Sequence, residues 1–127
     1  MESHVKPINL AKLLSSFDTP WDPKIIAELN GQQVKLVKLE GEFVWHAHAN
    51  ADELFLVLTG LLEMQYRDHT VTVREGELVV VPRGVEHCPR AGVETHVLLF
   101  EPAGTLNTGD AGGDRTVADP ELIQGAR

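Results

Sequence analysis

The chain has 127 residues, with 19 acidic against 11 basic side chains and a formal net charge of -8. No basic stripe exists to neutralise phosphates, which argues against a nucleic-acid binder and equally against an anionic membrane surface. A single cysteine, Cys88, excludes an intrachain disulfide, and 43% apolar with 24% charged residues is the composition of one globular domain.

Residues 1–17 lack the basic region and apolar run of a signal peptide. No apolar stretch approaches the roughly 18 residues that span a bilayer. The cytoplasm is therefore the expected compartment.

Residues 7–17 read as a short helix, with Asn9 as N-cap and Leu10, Leu13, Leu14 and Phe17 at helical spacing. Pro20 and Pro23 then force an extended path around Trp21. From there the pattern is strand after short strand: Ile25–Leu29, Val34–Glu40, Phe43–His48, Glu53–Leu58, Leu61–Arg67, Thr70–Arg74, Glu77–Val81, His87–Arg90 and Glu94–Phe100. Asn30-Gly31, Glu40-Gly41, Thr59-Gly60, Asp68-His69, Glu75-Gly76 and Arg83-Gly84 supply the turns between them. About nine short strands at this spacing predict an all-β antiparallel sandwich or barrel. The division expected is an N-terminal helix and arm over 1–23, a barrel over 24–102 and an irregular tail over 103–127. Residues 120–124 are a candidate for one helical turn, and either a neighbouring subunit or the barrel's own flank could order the tail.

The chemistry concentrates in four residues. His46 and His48 lie two apart in a predicted strand, on one face and about 6.5–7 Å apart along it, so their imidazoles can converge on one ion. Glu53 follows a turn that returns the chain towards them, and His87 follows the turn at Pro82-Arg83-Gly84. A lone His-X-His is more often an ordinary surface or core pair; the constellation carries the reading. Three imidazoles and one carboxylate form an N/O set suited to one divalent Fe, Mn, Ni, Co, Cu or Zn ion.

The glycines and proline around these residues resemble the two-part signature of the cupin superfamily. Its first part runs Gly41, four residues, His46-Ala47-His48, four residues, Glu53, six residues, Gly60. Its second runs Gly76, five residues, Pro82-Arg83-Gly84, two residues, His87, three residues, Ala91. Gly41 is one residue nearer the histidines than the pattern has it, and Ala91 replaces its final asparagine. Neither departure touches a ligand. The resemblance implies a jelly-roll β-barrel holding one metal ion through His46, His48, Glu53 and His87. It is nearest to small stand-alone cupins of the phosphomannose-isomerase-like kind, although no Lys/Arg cluster suited to a sugar phosphate accompanies the ligands.

If His46 and His48 point inward, strand alternation places Val44 inward and Phe43, Trp45 and Ala47 outward. Glu53 inward brings Phe55 and Val57 with it, leaving Leu54, Leu56 and Leu58 outside. Val44, Phe55, Val57 and one face of Leu78–Val81 then form an apolar pocket for a small-molecule ligand. The apolar outer set predicts a homodimer, with the N-terminal helix covering part of it.

His96 and Tyr66 are candidate acid–base residues, although a solvent-facing histidine and a packing tyrosine are the commoner roles. Gln65 shares the end of Tyr66's strand. Cys88 reads as a buried spectator, Arg83 as a solvated turn residue, and His4 and His69 as surface residues. The expected function is a metal-dependent enzyme, a dioxygenase, isomerase or lyase, acting on a small oxygen-rich metabolite. The alternative is a non-catalytic protein that binds a metal and a small molecule, as sensor or accessory subunit.

Overall fold

The structure, a computed structural model, describes residues 5–123. It contains one short helix, α1 (Leu10–Leu14), followed by seven antiparallel strands: β1 (Lys24–Leu29), β2 (Gln32–Glu42), β3 (Glu53–Thr59), β4 (Leu61–Tyr66), β5 (Thr70–Arg74), β6 (Leu78–Val81) and β7 (His87–Pro102). His4 and Gln124 lie outside the described residues.

The spine is β7, 16 residues long. Its first part pairs with β4, Tyr66 facing His87 and Glu63 facing Arg90. Its second part is flanked by β2 on one side and β3 on the other, so that Leu99 lies between Lys35 and Phe55. The two runs predicted over 87–90 and 94–100 are thus one strand, and the residues between them carry only a shift of register against β2, from Leu39–Thr95 to Gly41–Ala91. The antiparallel pairs β1–β2, β3–β6 and β4–β5 complete the sheet.

Alternation decides what fills the interior. Val37 and Leu39 from β2, Phe55 and Val57 from β3, Leu62 and Met64 from β4, Val73, Val81, and Ala91, Val97 and Leu99 from β7 form one buried cluster. Every strand from β2 to β7 contributes, which is the signature of a sheet rolled around one core. A second cluster lies on the outside, where Leu13 and Leu14 of α1 cover Ile26 and Leu36, with Leu58 and Leu98 at its margin. The Asn9 side chain caps α1 by accepting from the Lys12 backbone N–H at 2.9 Å. The helix is shorter than the pattern over 7–17 because Ser15 and Ser16 turn their hydroxyls onto the carbonyls of Lys12 and Leu13.

Gly60, at the turn from β3 to β4, has φ 94°, and a Cβ there would lie 2.8 Å from Thr95 Cα. The turn can pack on β7 only with glycine at this position.

The segment 43–48, predicted as a strand, departs from one. β2 ends at Glu42, and residues 43–48 run extended beside β7, tied by Phe43 N–H to the Pro89 carbonyl and by an isolated bridge between His46 and His87. At the other end of the chain, residues 121–123 lie extended against Ile25 in place of a helical turn. Ile25 N–H donates to the Glu121 carbonyl and Ile123 N–H to the Ile25 carbonyl.

The candidate metal centre

His46 and His87 are brought together by backbone pairing. Each donates its N–H to the other's carbonyl, at 3.0 and 2.9 Å, and their ring centroids are 4.2 Å apart. His48 follows two residues on, its ring 4.9 Å from that of His46. Glu53 opens β3 opposite Val81 and places Oε1 3.1 Å from His48 Nε2 and 3.7 Å from His87 Nε2. All four side chains are buried, and one ligand atom from each lies within 4.8 Å of the other three.

Each test of fit that the side chains allow is met. His46 Nδ1 lies 2.9 Å from the Val44 carbonyl and His87 Nδ1 2.9 Å from the Val85 carbonyl. A carbonyl can only accept, so both Nδ1 atoms carry the proton and both Nε2 atoms present a lone pair. Such outer contacts are what fix a metal-binding histidine's tautomer and ring orientation. His48 Nε2, His87 Nε2 and Glu53 Oε1 are buried without a hydrogen-bond partner. Three orphaned buried polar atoms facing one another would be costly in a barrel interior, and a divalent cation satisfies all three at once.

The titration of these groups points the same way. Burial, followed by the charge of His87, lowers His46 to about 4, so that its imidazole is neutral at neutral pH. Burial would raise the Glu53 carboxyl, but the neighbouring His48, His87 and Glu101 side chains outweigh it and hold Glu53 below the usual carboxylate range. Glu101 moves upward, first by burial and then by the charge of Glu53. Neutral imidazoles with an ionised carboxylate are the forms that bind a cation.

Beside the cluster is a cavity of about 30 Å³ in which the centre of a water molecule can move. His46 and Glu53 line it together with Pro23, Val37, Leu39, Phe55 and Leu99, under Trp21 and Phe43. The Trp21 and Phe43 rings stack 4.6 Å apart. Trp21 holds φ 61°, unusual for so bulky a residue, while its backbone N–H donates to the Lys38 carbonyl and its Nε1 to that of Glu40.

Of the predicted pocket residues, Phe55 lines this cavity and Val57 lies below it in the core. Val44 does not line it; Phe43 does, although alternation predicts Phe43 outside. The reason is the ending of β2 at Glu42: without a continuous strand through 43–48, the two-residue period does not carry across. Val44 instead supplies the carbonyl that orients His46. His96 lies on the outer face of β7, its Nε2 2.6 Å from Glu94. Tyr66 packs at the edge of the core with its ring stacked on His69. Neither lines the cavity. Gln65 donates to Glu42, and Cys88 is buried with its thiol pushed up to about 11 by burial. Arg83 is exposed and paired with Asp52.

The sheet's own flank organises the tail. Asp110 Oδ1 accepts from Ala47 N–H at 2.8 Å, and Asp110 N–H donates to the Ala47 carbonyl at 3.0 Å. Arg115 donates to the Glu42 carbonyl and places its guanidinium over the Phe43 ring. The segment thus clasps the residue between the two candidate ligands His46 and His48.

Residues 33–101 match the family described as the Cupin domain. This chain belongs to the cupin family. A cupin-2 domain protein of Shewanella frigidimarina is 48% identical and superposes with a TM-score of 0.74, over 75% of this chain and 93% of that one. A Neisseria meningitidis protein is 35% identical, with a TM-score of 0.71 over 77% of this chain and all of its own. YdbB of Bacillus subtilis (strain 168) is 36% identical over 77 residues, 60% of this chain and 68% of that protein. The cupin match takes in β2 to β7 and all four candidate ligands, while α1, the Trp21 arm and the clasping tail lie outside it. Among the described residues no helix is long and apolar enough to cross a membrane.

Two charged residues of the interior belong to no motif and were not among the residues expected at the site. Lys35 and Glu101 are buried and paired at 2.7 Å next to Glu53. The signal was present: Lys35-X-Val37-X-Leu39 and Val97-X-Leu99-X-Glu101 put both charges in phase with the core.

Proposed function

We propose that this cupin is a metal-dependent enzyme, binding one divalent transition-metal ion through His46, His48, Glu53 and His87 and acting on a small metabolite through that metabolite's oxygen atoms. The observation that carries the reading is the set of three buried, unpartnered ligand atoms beside an apolar cavity. Four protein donors on a six-coordinate ion leave two positions for exogenous ligands, and the ion supplies Lewis acidity or redox chemistry there. The chain's own residues hold the His46 imidazole neutral, orient it and that of His87 through the Val44 and Val85 carbonyls, and exclude water with Phe55, Leu99 and the Trp21–Phe43 stack.

Among dioxygenase, isomerase and lyase, the lining favours oxygenation. Isomerases and lyases that move a proton at carbon need an acid or base beside the substrate. Among the described residues, the polar side chains lining the cavity are His46, Glu53 and Asn107. The first two are metal ligands, and the amide of Asn107 is already engaged by Arg115 and Val117. A lining of this composition offers no cation to a sugar phosphate. The test is oxygen uptake by iron-loaded protein with a panel of diols, diketones and phenols. Uptake dependent on one substrate class supports the reading; no turnover alongside tight binding of the same compounds would favour a non-catalytic binding protein.

We also propose a cytoplasmic homodimer. Leu54 and Leu56 of β3 stand beside Leu78 and Val80 of β6 on the outer face, and the latter two are 56% and 48% exposed. A second copy would cover this apolar surface.

A further inference from the structure

The cavity beside the candidate metal centre is too small for an organic metabolite. About 30 Å³ is open to the centre of a water molecule, room for a water or two, whereas pockets that enclose an organic ligand run to roughly 300–1,000 Å³. A wall must therefore move. Val37, Leu39, Phe55 and Leu99 are buried in the close-packed core of the barrel and resist displacement. Trp21 is different. It belongs to the arm between α1 and β1, is half-buried, and packs against that core from its margin.

Few contacts dock it. β1 begins at Lys24, opposite Leu36, so β1 does not cover the edge of β2 beyond Leu36. Trp21 N–H donates there to the Lys38 carbonyl at 2.8 Å, and its Nε1 to the Glu40 carbonyl at 2.9 Å. Water can serve both carbonyls if the residue leaves. Against these bonds stands the backbone at φ 61°, a costly conformation for so bulky a side chain, which release would relieve. Strain of this kind persists only where surrounding contacts impose it, and it concentrates at ligand clamps and switches.

The indole's own place suits a ligand. It stacks on Phe43 with 4.6 Å between centroids and 16° between planes. It also lines the cavity that His46 and Glu53 line, so the space it would vacate joins that cavity. With the face of Phe43 on one side, the enlarged pocket is a slot for a flat molecule.

We propose that Trp21 is the gate of the metal centre and sets the shape of the substrate: an organic substrate reaches the ion only when the indole leaves Phe43, and a flat, conjugated oxygen compound takes its place in the stack. The inference rests on the metal reading above and names a substrate class for it.

Cobalt(II)-loaded full chain, mixed rapidly with azide or with nitrocatechol and followed by its visible bands, is the test. In the unchanged protein the rate of azide binding is expected to rise in proportion to concentration, while that of nitrocatechol levels off at the opening rate of the gate. Trp21→Gly adopts φ 61° without strain and removes the indole. Its nitrocatechol rate is expected to lose the ceiling and rise about 10-fold or more, the scale of one or two hydrogen bonds released. Azide binding should stay as in the unchanged protein. Phe43→Leu keeps an apolar wall without a flat face, and is expected to weaken nitrocatechol, but not azide, by up to about 10-fold. A further readout needs no variant of the gate: in zinc-loaded, fluorotryptophan-labelled chain, the Trp21 fluorine resonance is expected to shift with nitrocatechol and stay in place with azide. Nitrocatechol rates proportional to concentration and equal in Trp21→Gly, with a fixed Trp21 resonance, would overturn the inference. Entry would then lie through the separate, open cavity of about 460 Å³ beside His48 and Gly109. A chain that takes up no cobalt, or any other divalent metal, would remove the metal reading and this inference with it.

Discussion

The backbones of His46 and His87 exchange two hydrogen bonds, of 3.0 and 2.9 Å, so two candidate ligands from distant parts of the chain are joined by the fold itself. The site is thus built by strand pairing, and little conformational entropy remains to be lost when an ion enters it. Metal binding is expected to raise the melting temperature, by the mass-action stabilisation of a ligand that binds only the folded state, with little change in far-ultraviolet circular dichroism. A large gain of β-structure on adding metal would contradict a preformed site.

Stability of the metal-free protein should depend on pH through His46. Burial holds its folded value at about 4, below the 6.5 of an ordinary imidazole. Between these values the unfolded chain binds more protons, so the contribution is full above about pH 6.5 and is lost as pH falls through 4. The size is at most about 3 kcal/mol, because each pH unit separating the folded and unfolded values contributes roughly 1.36 kcal/mol. Urea unfolding with chelator present, from neutral pH down to the folded value, measures it. His46→Gln is expected to flatten the slope, and an equal slope in that variant would place the titration elsewhere.

Gly109→Ala tests the clasp on Ala47. Gly109 has φ 52°, and an added Cβ would collide with the Ala47 carbonyl while also crowding His46 Cδ2 at 3.1 Å. The change is expected to cost about 1–3 kcal/mol of stability. Metal affinity should fall with it, because Ala47 sits between two candidate ligands. Calorimetric unfolding and metal titration of the same sample check both. Unchanged affinity would mean that the tail packs on the site without supporting it.

Much of this was legible in the sequence because its signals are local. Turn dipeptides and two-residue alternation mark β1 to β6 to within two residues, and Asn9 announces the cap of α1. The four candidate ligands were legible because their spacing is tied to glycines and a proline with backbone roles. Legibility failed where a local rule meets a tertiary event. Phe43 enters the cavity because β2 ends at Glu42 and the chain is then steered by Pro89 and His87 of β7. The course of the tail is set by single contacts such as Asp110 with Ala47, which no periodicity announces. Lys35 and Glu101 were visible as inward positions, but only the pairing of β2, β7 and β3 brings Glu101 next to Glu53 in the sheet and Lys35 onto Glu101.

The proposed dimer has its own test. Leu56→Glu and Val80→Lys place charges on the outer face of β3 and β6 and are expected to yield monomers without loss of metal. Size-exclusion chromatography with light scattering distinguishes the species at micromolar concentration. A monomeric unchanged protein would sink the proposal.

The most direct measurement is metal analysis of tag-free protein purified without chelator. The expected result is close to one divalent transition-metal ion per chain, lost in His46→Ala and His87→Ala while both variants remain folded. Unchanged metal content in those variants, or an unchanged protein that neither retains nor takes up a divalent ion, would contradict a metal centre built from His46, His48, Glu53 and His87.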